Sequence, residues 1–321
     1  MPRPRVTILL PVLDEVSSID DCLESLAAQD YDGPIEVVVA DGGSTDGTRD
    51  RLAAWSRRLD VTVLDNPERV QSAGLNRCAA AAGGEILIRA DAHTTYGSDY
   101  VRRSVEVLTE TEAAAVGGPM RPEGTSPFGR AVATAMSSPL AVGPAVFHHA
   151  ETRREADTVY LGAMLAETFR TLGGIRTFPS GVAEDADLYY RVRAAGGRVV
   201  VDPTIRTTYH PRESPGALWR QFRRYGSGKA DMLYINGRWP SWRPAAPLLL
   251  VIGLGGGLVF AVAGAPGPLL GLLAAWAGAL GIASSGRPLV AAAAAIMHLA
   301  YGIGLITGLF RRPAHVRAAV R

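Results

Sequence analysis

Short apolar runs rich in β-branched residues mark the first part of the chain, and segments with helical periodicity follow them. VTILLPV (residues 6–12), Val37–Val39 and GEILIRADAH (residues 84–93) each lead into or end with a segment that contains an aspartate. Such runs predict buried strands, and the residues from about Thr48 predict a helix. Strands alternating with helices predict an α/β fold with a twisted, mostly parallel sheet.

Three hydrophobic segments occupy the end of the chain, at 245–263, 269–283 and 289–310, separated by GAPGP and SSGRP. A membrane span needs roughly 20 apolar residues, a length that the first and third reach and the second barely approaches. None shows the polar face of a helix at a soluble protein's surface. We therefore predict a C-terminal module of about three transmembrane helices.

The basic residues around these segments do not predict a single membrane topology. Arg238 and Arg243 precede the first segment, and Arg311, Arg312, Arg317 and Arg321 follow the third. Both groups are expected on the cytoplasmic side, whereas three full spans would separate them. Either the middle segment is re-entrant, or this chain does not follow the rule that basic flanks lie on the cytoplasmic side.

Between the two parts, Ser214 and Pro215 are typical of a helix start. Apolar side chains then recur at helical spacing, with arginines between them: Leu218, Trp219, Phe222 and Tyr225. This pattern predicts an amphipathic helix at the lipid interface, although a basic helix packed on the soluble domain has the same pattern. The predicted domains are residues 1–212, 213–243 and 244–321.

The net charge of +2 hides a division of the chain, because residues 1–243 carry 28 Lys and Arg against 31 Asp and Glu. The first strand is too short, and too soon interrupted by Pro11, for a signal peptide. Cys22 and Cys78 have no ligand-like spacing and are expected as core residues in a reducing compartment. We predict a protein of the plasma membrane whose first domain is cytoplasmic.

One turn carries the most informative chemistry. The strand before it delivers Asp41 onto ADGGSTDGT (40–48). An open α/β sheet builds nucleotide pockets at the carboxyl ends of its strands, where a carboxylate can accept hydrogen bonds from a base or a ribose. The alternative is an ordinary strand–turn–helix in which Thr45 or Asp46 caps the helix.

Two further acidic sites follow strands or begin helices. Asp91 and His93 share one face at a strand end and could hold a divalent cation, with the imidazole favouring Mn²⁺ over Mg²⁺. Glu184, Asp185 and Asp187 crowd the start of a predicted helix. Clustered carboxylates can supply a general base, although the helix dipole alone also favours acids there.

In chain order these pieces resemble glycosyltransferase family 2 with a GT-A fold, most nearly its membrane-anchored succinoglycan-biosynthesis type. The resemblance covers roughly residues 5–235. Its motifs are PVLDE (11–15), ADGGSTDGT (40–48), GLNRCAAAAGGEILIRADAH (74–93), DTVYLGA (157–163), LGG (172–174), AED (183–185) and QFRRY (221–225).

The resemblance implies a role for each matching position. Asp185 matches the catalytic base of inverting members, and Asp91 with His93 matches the motif that binds metal and donor phosphate. His210 is a further, weaker metal candidate. Residues implied at the donor's base and ribose are Pro11, Asp14, Glu15 and Asp41. Residues implied over the donor and acceptor are Glu184, Gln221, Arg224 and Tyr225.

The sequence also departs from the family pattern. Gly42 stands where many members have a second Asp, His93 replaces an Asp, and Cys78 replaces a usual Gly. Arg176 follows Gly173, Gly174 and Ile175 where an acid is usual, and Tyr225 replaces Trp. These departures leave the core chemistry in place but make the acceptor unpredictable.

The resemblance implies an inverting, cation-dependent transfer of a sugar from a nucleotide-diphosphate sugar to a lipid-linked or glycan hydroxyl. Membrane lipid is the other expected partner, and no nucleic-acid partner is expected. One alternative is a polyprenyl-phosphate sugar synthase, whose ionised acceptor needs no base. The other is a non-catalytic membrane scaffold that keeps the fold. Three short apolar segments favour addition of one or a few sugars over processive export.

Overall fold

The computed structural model describes residues 3–239 and 241–311, which form two compact units. The first comprises Met1–Arg121, Val146–Thr177 and Glu184–His210, and the second Pro122–Ala145, Phe178–Ala183 and Pro211–Arg321. Two short segments from the first part of the chain thus group with its C-terminal part. The predicted boundaries at 212 and 243 stay predictions, and the basic tail after Arg311 lies outside the described residues.

An eight-stranded sheet forms the centre of the first unit, in the order β3-β2-β1-β4-β9-β6-β10-β8, and a small sheet has the order β5-β11-β7. The strands are β1 (Val6–Val12), β2 (Ile35–Asp41), β3 (Val61–Asp65), β4 (Ile86–Arg89), β5 (Thr94–Tyr96), β6 (Ala115–Gly118), β7 (Arg121–Pro122), β8 (Arg154–Glu155), β9 (Tyr160–Leu165), β10 (Val199–Val201) and β11 (Thr207–Tyr209).

Strands β1 to β4 are parallel, β9 runs antiparallel between β4 and β6, and β10 is parallel to β6. The predicted α/β class with a mostly parallel sheet is confirmed. The three strands predicted from apolar runs are β1, β2 and β4, although β4 ends at Arg89, before the predicted end at residues 91–93.

Helices cover both faces of this sheet because successive side chains of each strand point to opposite sides. Ile8 and Leu10 of β1 join one apolar core, whereas Leu9 joins the other. Cys22 and Cys78 are free thiols buried in these cores, as predicted. The helices of this unit are α1 (Ile19–Ala27), α2 (Thr48–Trp55), α3 (Gln71–Ala81), α4 (Tyr100–Thr111), α7 (Val146–His149), α8 (Ala166–Thr171) and α9 (Glu184–Ala194).

The second unit is helical. Among the described residues, three of its helices are long and apolar enough to cross a membrane, which agrees with the three predicted segments. The helices of the unit are α5 (Pro127–Met136), α6 (Pro139–Val142), α10 (Pro215–Asn236), α11 (Ala245–Val262), α12 (Gly267–Ser284) and α13 (Pro288–Leu309).

Helix α10 begins where the sequence predicts, since the Ser214 side chain accepts a hydrogen bond from the Ala217 N–H at 3.4 Å. Its apolar face differs from the prediction. Leu218 and Phe222, expected at the lipid surface, are buried, because α10 packs along α13. The interfacial position of the helix as a whole stays a prediction.

Candidate active site

The carboxyl ends of four parallel strands bring the predicted donor residues to one edge of the sheet. In the register of β1 with β2, Val12 lies beside Asp41, and Arg89 of β4 lies beside Leu9. Asp91 therefore follows β4 close to the level of Pro11. Because β2 and β4 flank β1 on opposite sides, this edge lies at a topological switch point, where open α/β sheets bind ligands.

Asp41 is buried, and its own turn occupies its carboxylate. Oδ1 accepts hydrogen bonds from the Ser44 N–H at 3.1 Å and from Ser44 Oγ at 2.6 Å, and Oδ2 lies 3.4 Å from Arg49 Nε. The turn thus satisfies this carboxylate without a ligand, although the residue at the N-cap of α2 is Gly47 and not Thr45 or Asp46 as the alternative supposed. The donor role of Asp41 stays a prediction.

Asp14 and Glu15 connect the end of β1 to the same turn. Asp14 Oδ1 accepts the Thr45 N–H at 2.8 Å, and the Glu15 N–H donates to Thr48 Oγ1 at 2.8 Å. Glu15 Oε1 lies 3.9 Å from His93 Nδ1. These contacts fix the backbone at this edge of the sheet, and the carboxylate of Glu15 faces the predicted metal motif.

Asn66, which the sequence analysis missed, lies at this edge directly after β3. Its N–H donates to the Asp41 carbonyl at 2.8 Å, and its Oδ1 is buried without a hydrogen-bond partner among the described residues. A Cβ added at Gly74 would lie 3.0 Å from Asn66 Nδ2 and 3.1 Å from Pro11. A buried amide oxygen beside Pro11 is suited to accept a hydrogen bond from a donor base.

Asp91 is buried after β4, and two side chains orient it. Its Oδ1 accepts hydrogen bonds from Gln71 Nε2 at 3.0 Å and from Arg89 Nη2 at 3.4 Å. Its Oδ2 makes no hydrogen bond within the described part of the chain. One oxygen is thus fixed by protein donors and the other is free to bind a cation.

His93 and His210 are brought together by strand pairing. In the antiparallel register of β5 with β11, Thr94 lies beside Tyr209, so His93 and His210 are the next residues on either side. His93 also stacks edge-on against Tyr209 at 6.2 Å. This register supports the weaker suggestion, made from the sequence, that His210 belongs with the metal motif.

The described residues contain no group of three His, Cys, Asp or Glu side chains already gathered as metal ligands. The chemistry of the residues nevertheless fits a cation that is shared with a diphosphate. Asp91 offers a free carboxylate oxygen and His93 an imidazole, which suits Mn²⁺. Phosphate oxygens and water would complete the coordination.

Glu184 and Asp185 begin α9, as the sequence predicts, and their environments differ. Glu184 is 5% exposed, whereas Asp185 is only partly buried. Burial, together with the nearby charge of Asp185, raises the pKa of Glu184 from 4.5 to about 7. The pair therefore combines a carboxyl group that is readily protonated with a more accessible carboxylate.

Arg89 lies between Asp91 and the acid pair, and the sequence analysis missed it. Its Nη1 is 4.0 Å from Glu184 Oε1, while its Nη2 reaches Asp91. Burial lowers the pKa of Arg89, but the surrounding carboxylates raise it by more, and the guanidinium stays charged. The sequence does contain a signal for this residue, since an arginine stands at the end of an otherwise apolar strand.

Asp187, two residues after Asp185, has a different environment. Its side chain is fully buried and lies 2.8 Å from Arg191 Nε and 3.5 Å from Arg176 Nη1. Arg191 also donates to the carbonyls of Leu172 and Gly174 at 2.6 and 2.7 Å. This cluster fixes the LGG turn to α9, and it explains the basic residue found where the family usually has an acid.

The predicted QFRRY motif lies within the second unit. Gln221 Nε2 donates to Tyr225 Oη at 3.0 Å, and Arg224 Nη2 donates to the Gly181 carbonyl at 3.2 Å. These residues thus contact one another and the segment that precedes the acid pair in the chain. Their roles at the donor and acceptor stay predictions.

Comparison with known proteins identifies close relatives. Residues 7–163 match the family model described as Glycosyl transferase family 2. The succinoglycan biosynthesis protein ExoA of Rhizobium meliloti (strain 1021) is 37% identical over 320 residues, covering 95% of this chain and 96% of the relative. The dolichyl N-acetyl-alpha-D-glucosaminyl phosphate 3-beta-D-2,3-diacetamido-2,3-dideoxy-beta-D-glucuronosyltransferase of Methanococcus voltae is 24% identical over 246 residues, covering 73% and 76%.

Solved structures show the same fold. The mannosyltransferase PcManGT from Pyrobaculum calidifontis, solved with GDP-Man and Mn²⁺, matches with a TM-score of 0.67 at 24% identity, covering 96% of this chain and 88% of that one. TarS 1-349 from S. aureus, solved with UDP-GlcNAc, matches with a TM-score of 0.53 at 16% identity, covering 94% and 91%. These likenesses confirm the predicted GT-A-like fold.

Proposed function

The chain belongs to glycosyl transferase family 2, and from that premise we propose a specific reaction for it. It transfers a sugar, with inversion, from a nucleoside-diphosphate sugar to a hydroxyl group of a lipid-linked or glycan acceptor. The reaction takes place at the cytosolic face of the plasma membrane, in the synthesis of an exopolysaccharide or glycolipid. The 37% identity to a succinoglycan biosynthesis protein, over nearly the whole chain, supports this class of product.

A single observation carries the chemical part of the proposal. Buried Arg89 lies 3.4 Å from Asp91 and 4.0 Å from Glu184, the neighbour of Asp185. The predicted phosphate-binding carboxylate and the predicted base are thus organised around one guanidinium. A displacement at a sugar needs these two functions close together, one at the leaving group and one at the nucleophile.

The chain's residues divide the reaction between them. Asp41, with Pro11, Asp14 and Glu15, holds the donor base and ribose. Asp185 accepts the proton of the acceptor hydroxyl while the oxygen of that hydroxyl bonds to the anomeric carbon. The bond from that carbon to the β-phosphate oxygen breaks, and its electron pair leaves with the nucleoside diphosphate.

Asp91 and His93 would hold a divalent cation, with His210 as a further ligand. When bound, the cation neutralises negative charge on the departing diphosphate. Gln71 and Arg89 keep Asp91 oriented toward it, as partners of ligating carboxylates generally do. PcManGT, which shares the fold, is a protein solved with GDP-Man and Mn²⁺.

Two further observations support a lipid-linked acceptor. Three apolar helices follow the catalytic part of the chain. The relative from Methanococcus voltae, moreover, is named for a dolichyl-linked sugar phosphate. Gln221, Arg224 and Tyr225, with Glu184, would guide this acceptor toward the donor.

The direct test is a panel of nucleotide sugars offered to the detergent-purified protein with Mn²⁺, Mg²⁺ or EDTA. We expect one donor to bind in a cation-dependent manner and to release free nucleoside diphosphate. Asp91→Ala should weaken binding in the presence of cation and leave weak binding in EDTA unchanged. If no nucleotide sugar binds under any condition, the non-catalytic scaffold becomes the better account.

A further inference from the structure

The three apolar helices differ in how much of their surface is covered. In α11 and α12 only 6% of the residues in the apolar window are buried, against 44% in α13. The large exposed apolar side chains follow the same division, since Val259 and Val262 of α11 are 69% and 83% exposed. Helices α11 and α12 thus present apolar surface on nearly all sides, whereas α13 is largely enclosed.

Helix α10 covers the C-terminal half of α13. The backbones approach closely at two glycines, because Gly226 faces the Tyr301 carbonyl and Gly304 faces the Arg223 carbonyl. Near the helix ends, Tyr234 Oη donates to the Leu309 carbonyl. The two helices therefore lie side by side from about residue 301 of α13 to its end.

Charged side chains line α10 along this contact. Arg220, Arg223 and Arg224 are exposed, and buried Asp231 forms an ion pair with Arg311 at 3.4 Å. If α13 crossed the membrane, these arginines would lie at the depth of the lipid hydrocarbon. Charged groups there are costly unless they face a protein interior, and these do not.

The same part of α10 forms hydrogen bonds with a short segment, and this segment must lie on the same side of a membrane as the catalytic unit. Asp231 Oδ2 accepts the Ser180 N–H at 2.9 Å, and Arg224 donates to the Gly181 carbonyl. Ser180 and Gly181 belong to the six residues between Thr177 and Glu184, both of which are in the catalytic unit. Because this connection is so short, α10 and the end of α13 must lie on the side of the membrane where the catalytic unit lies.

We infer that α11 and α12 enter the lipid bilayer as a helical hairpin and that α13 does not cross it. The C-terminus then stays on the same side as the catalytic unit. The arginines agree with this arrangement, because Arg243 precedes α11 and Arg287 follows α12, so both lie at the open end of the hairpin, whereas its tip, GAPGP, carries no charge. The conflict between the two basic flanks disappears, and the inference is independent of the donor and acceptor.

The test compares the two ends of the full-length protein in cells. Green fluorescent protein, which fluoresces only in the cytosol, and alkaline phosphatase, which is active only outside it, are fused in turn to each terminus. We expect both termini to be fluorescent with the first reporter and inactive with the second. A C-terminus on the opposite side from the N-terminus would mean three spans and would overturn the inference.

A pair of matched substitutions tests which helices meet lipid. Val259 and Thr307 are both exposed and lie near the C-terminal ends of α11 and α13. Val259→Lys should lower the fraction of protein that resists alkaline carbonate extraction, several-fold relative to Thr307→Lys. Equal losses would contradict the hairpin, as would release of the unmodified protein by carbonate, which would indicate that α11 and α12 are covered by protein instead.

Discussion

The first turns of α9 contribute acids to two clusters of charged side chains, which differ in how their charges are balanced. Asp187 is one buried carboxylate between two arginines, Arg176 and Arg191. In the second cluster, the single guanidinium of Arg89 is shared between Asp91 and Glu184, and Asp185 is adjacent to Glu184. The first cluster has a surplus of positive charge and the second a surplus of negative charge.

In the proposed reaction, this difference separates a structural carboxylate from those that act on the substrates. A buried carboxylate whose oxygens are all held by arginines stabilises the fold and has little left to offer a substrate. Glu184, by contrast, keeps a high proton affinity, because burial and then the nearby charge of Asp185 raise its pKa to about 7. Acids in the first turn of a helix therefore have to be distinguished by their partners.

The largest stability effect is expected at Asp187. Replacing it with Asn leaves Arg191 buried without a counter-charge, and breaking such a pair costs about 3–5 kcal/mol. Asp185→Asn is the matched control, because it removes the same charge two residues away where no ion pair is broken. Thermal unfolding in detergent should show a much lower melting temperature for Asp187→Asn only. Equal melting temperatures would remove the distinction between the clusters.

The next effect is a pH dependence that originates at Glu184. Since its pKa is raised on folding, its contribution to stability is fully present below pH 4.5 and is lost as the pH rises through about 7. The full loss is roughly 3 kcal/mol, at about 1.4 kcal/mol for each pKa unit. In EDTA, the melting temperature of the unmodified protein should fall between pH 5 and 8 more than that of Glu184→Gln. Parallel curves for the two proteins would contradict the assignment.

The smallest effect is expected at Gln71, which orients Asp91. Gln71→Leu removes the hydrogen bond to Asp91 Oδ1. It should raise the Mn²⁺ concentration needed for cation-dependent donor binding by about 10- to 100-fold. Arg77→Leu, on the same helix but in a surface ion pair with Glu68, should have no such effect. The measurement is donor affinity as a function of Mn²⁺ concentration. A loss that Mn²⁺ cannot restore would point to misfolding of α3 instead.

Local sequence patterns were sufficient for much of the fold. Strands β1, β2 and β4, the start of α9 at Glu184 and the start of α10 at Pro215 were predicted from apolar runs, acidic first turns and capping residues. Asp41 and Asp91 were placed at strand ends because strand periodicity and parallel pairing determine where such residues lie.

The remaining features depend on contacts between residues distant in sequence. No local pattern pairs Arg176 with Asp187, or assigns Arg89 to both Asp91 and Glu184, because those contacts arise from sheet register and helix placement. The covering of α13 by α10 was missed for a similar reason. Its signal is the spacing of Gly304 and Gly308, both of which face α10, and hydropathy alone does not distinguish this helix from an ordinary span.

The measurement that tests the account most directly is turnover and donor affinity for Asp185→Asn beside Asp187→Asn, with the donor that the protein binds. We expect Asp185→Asn to lower kcat by about 10²- to 10⁴-fold, as loss of a general base does, with donor affinity unchanged. Asp187→Asn should lower the amount of folded protein while the folded fraction keeps most of its kcat. Normal turnover in Asp185→Asn would contradict the assignment of the Arg89 cluster to catalysis.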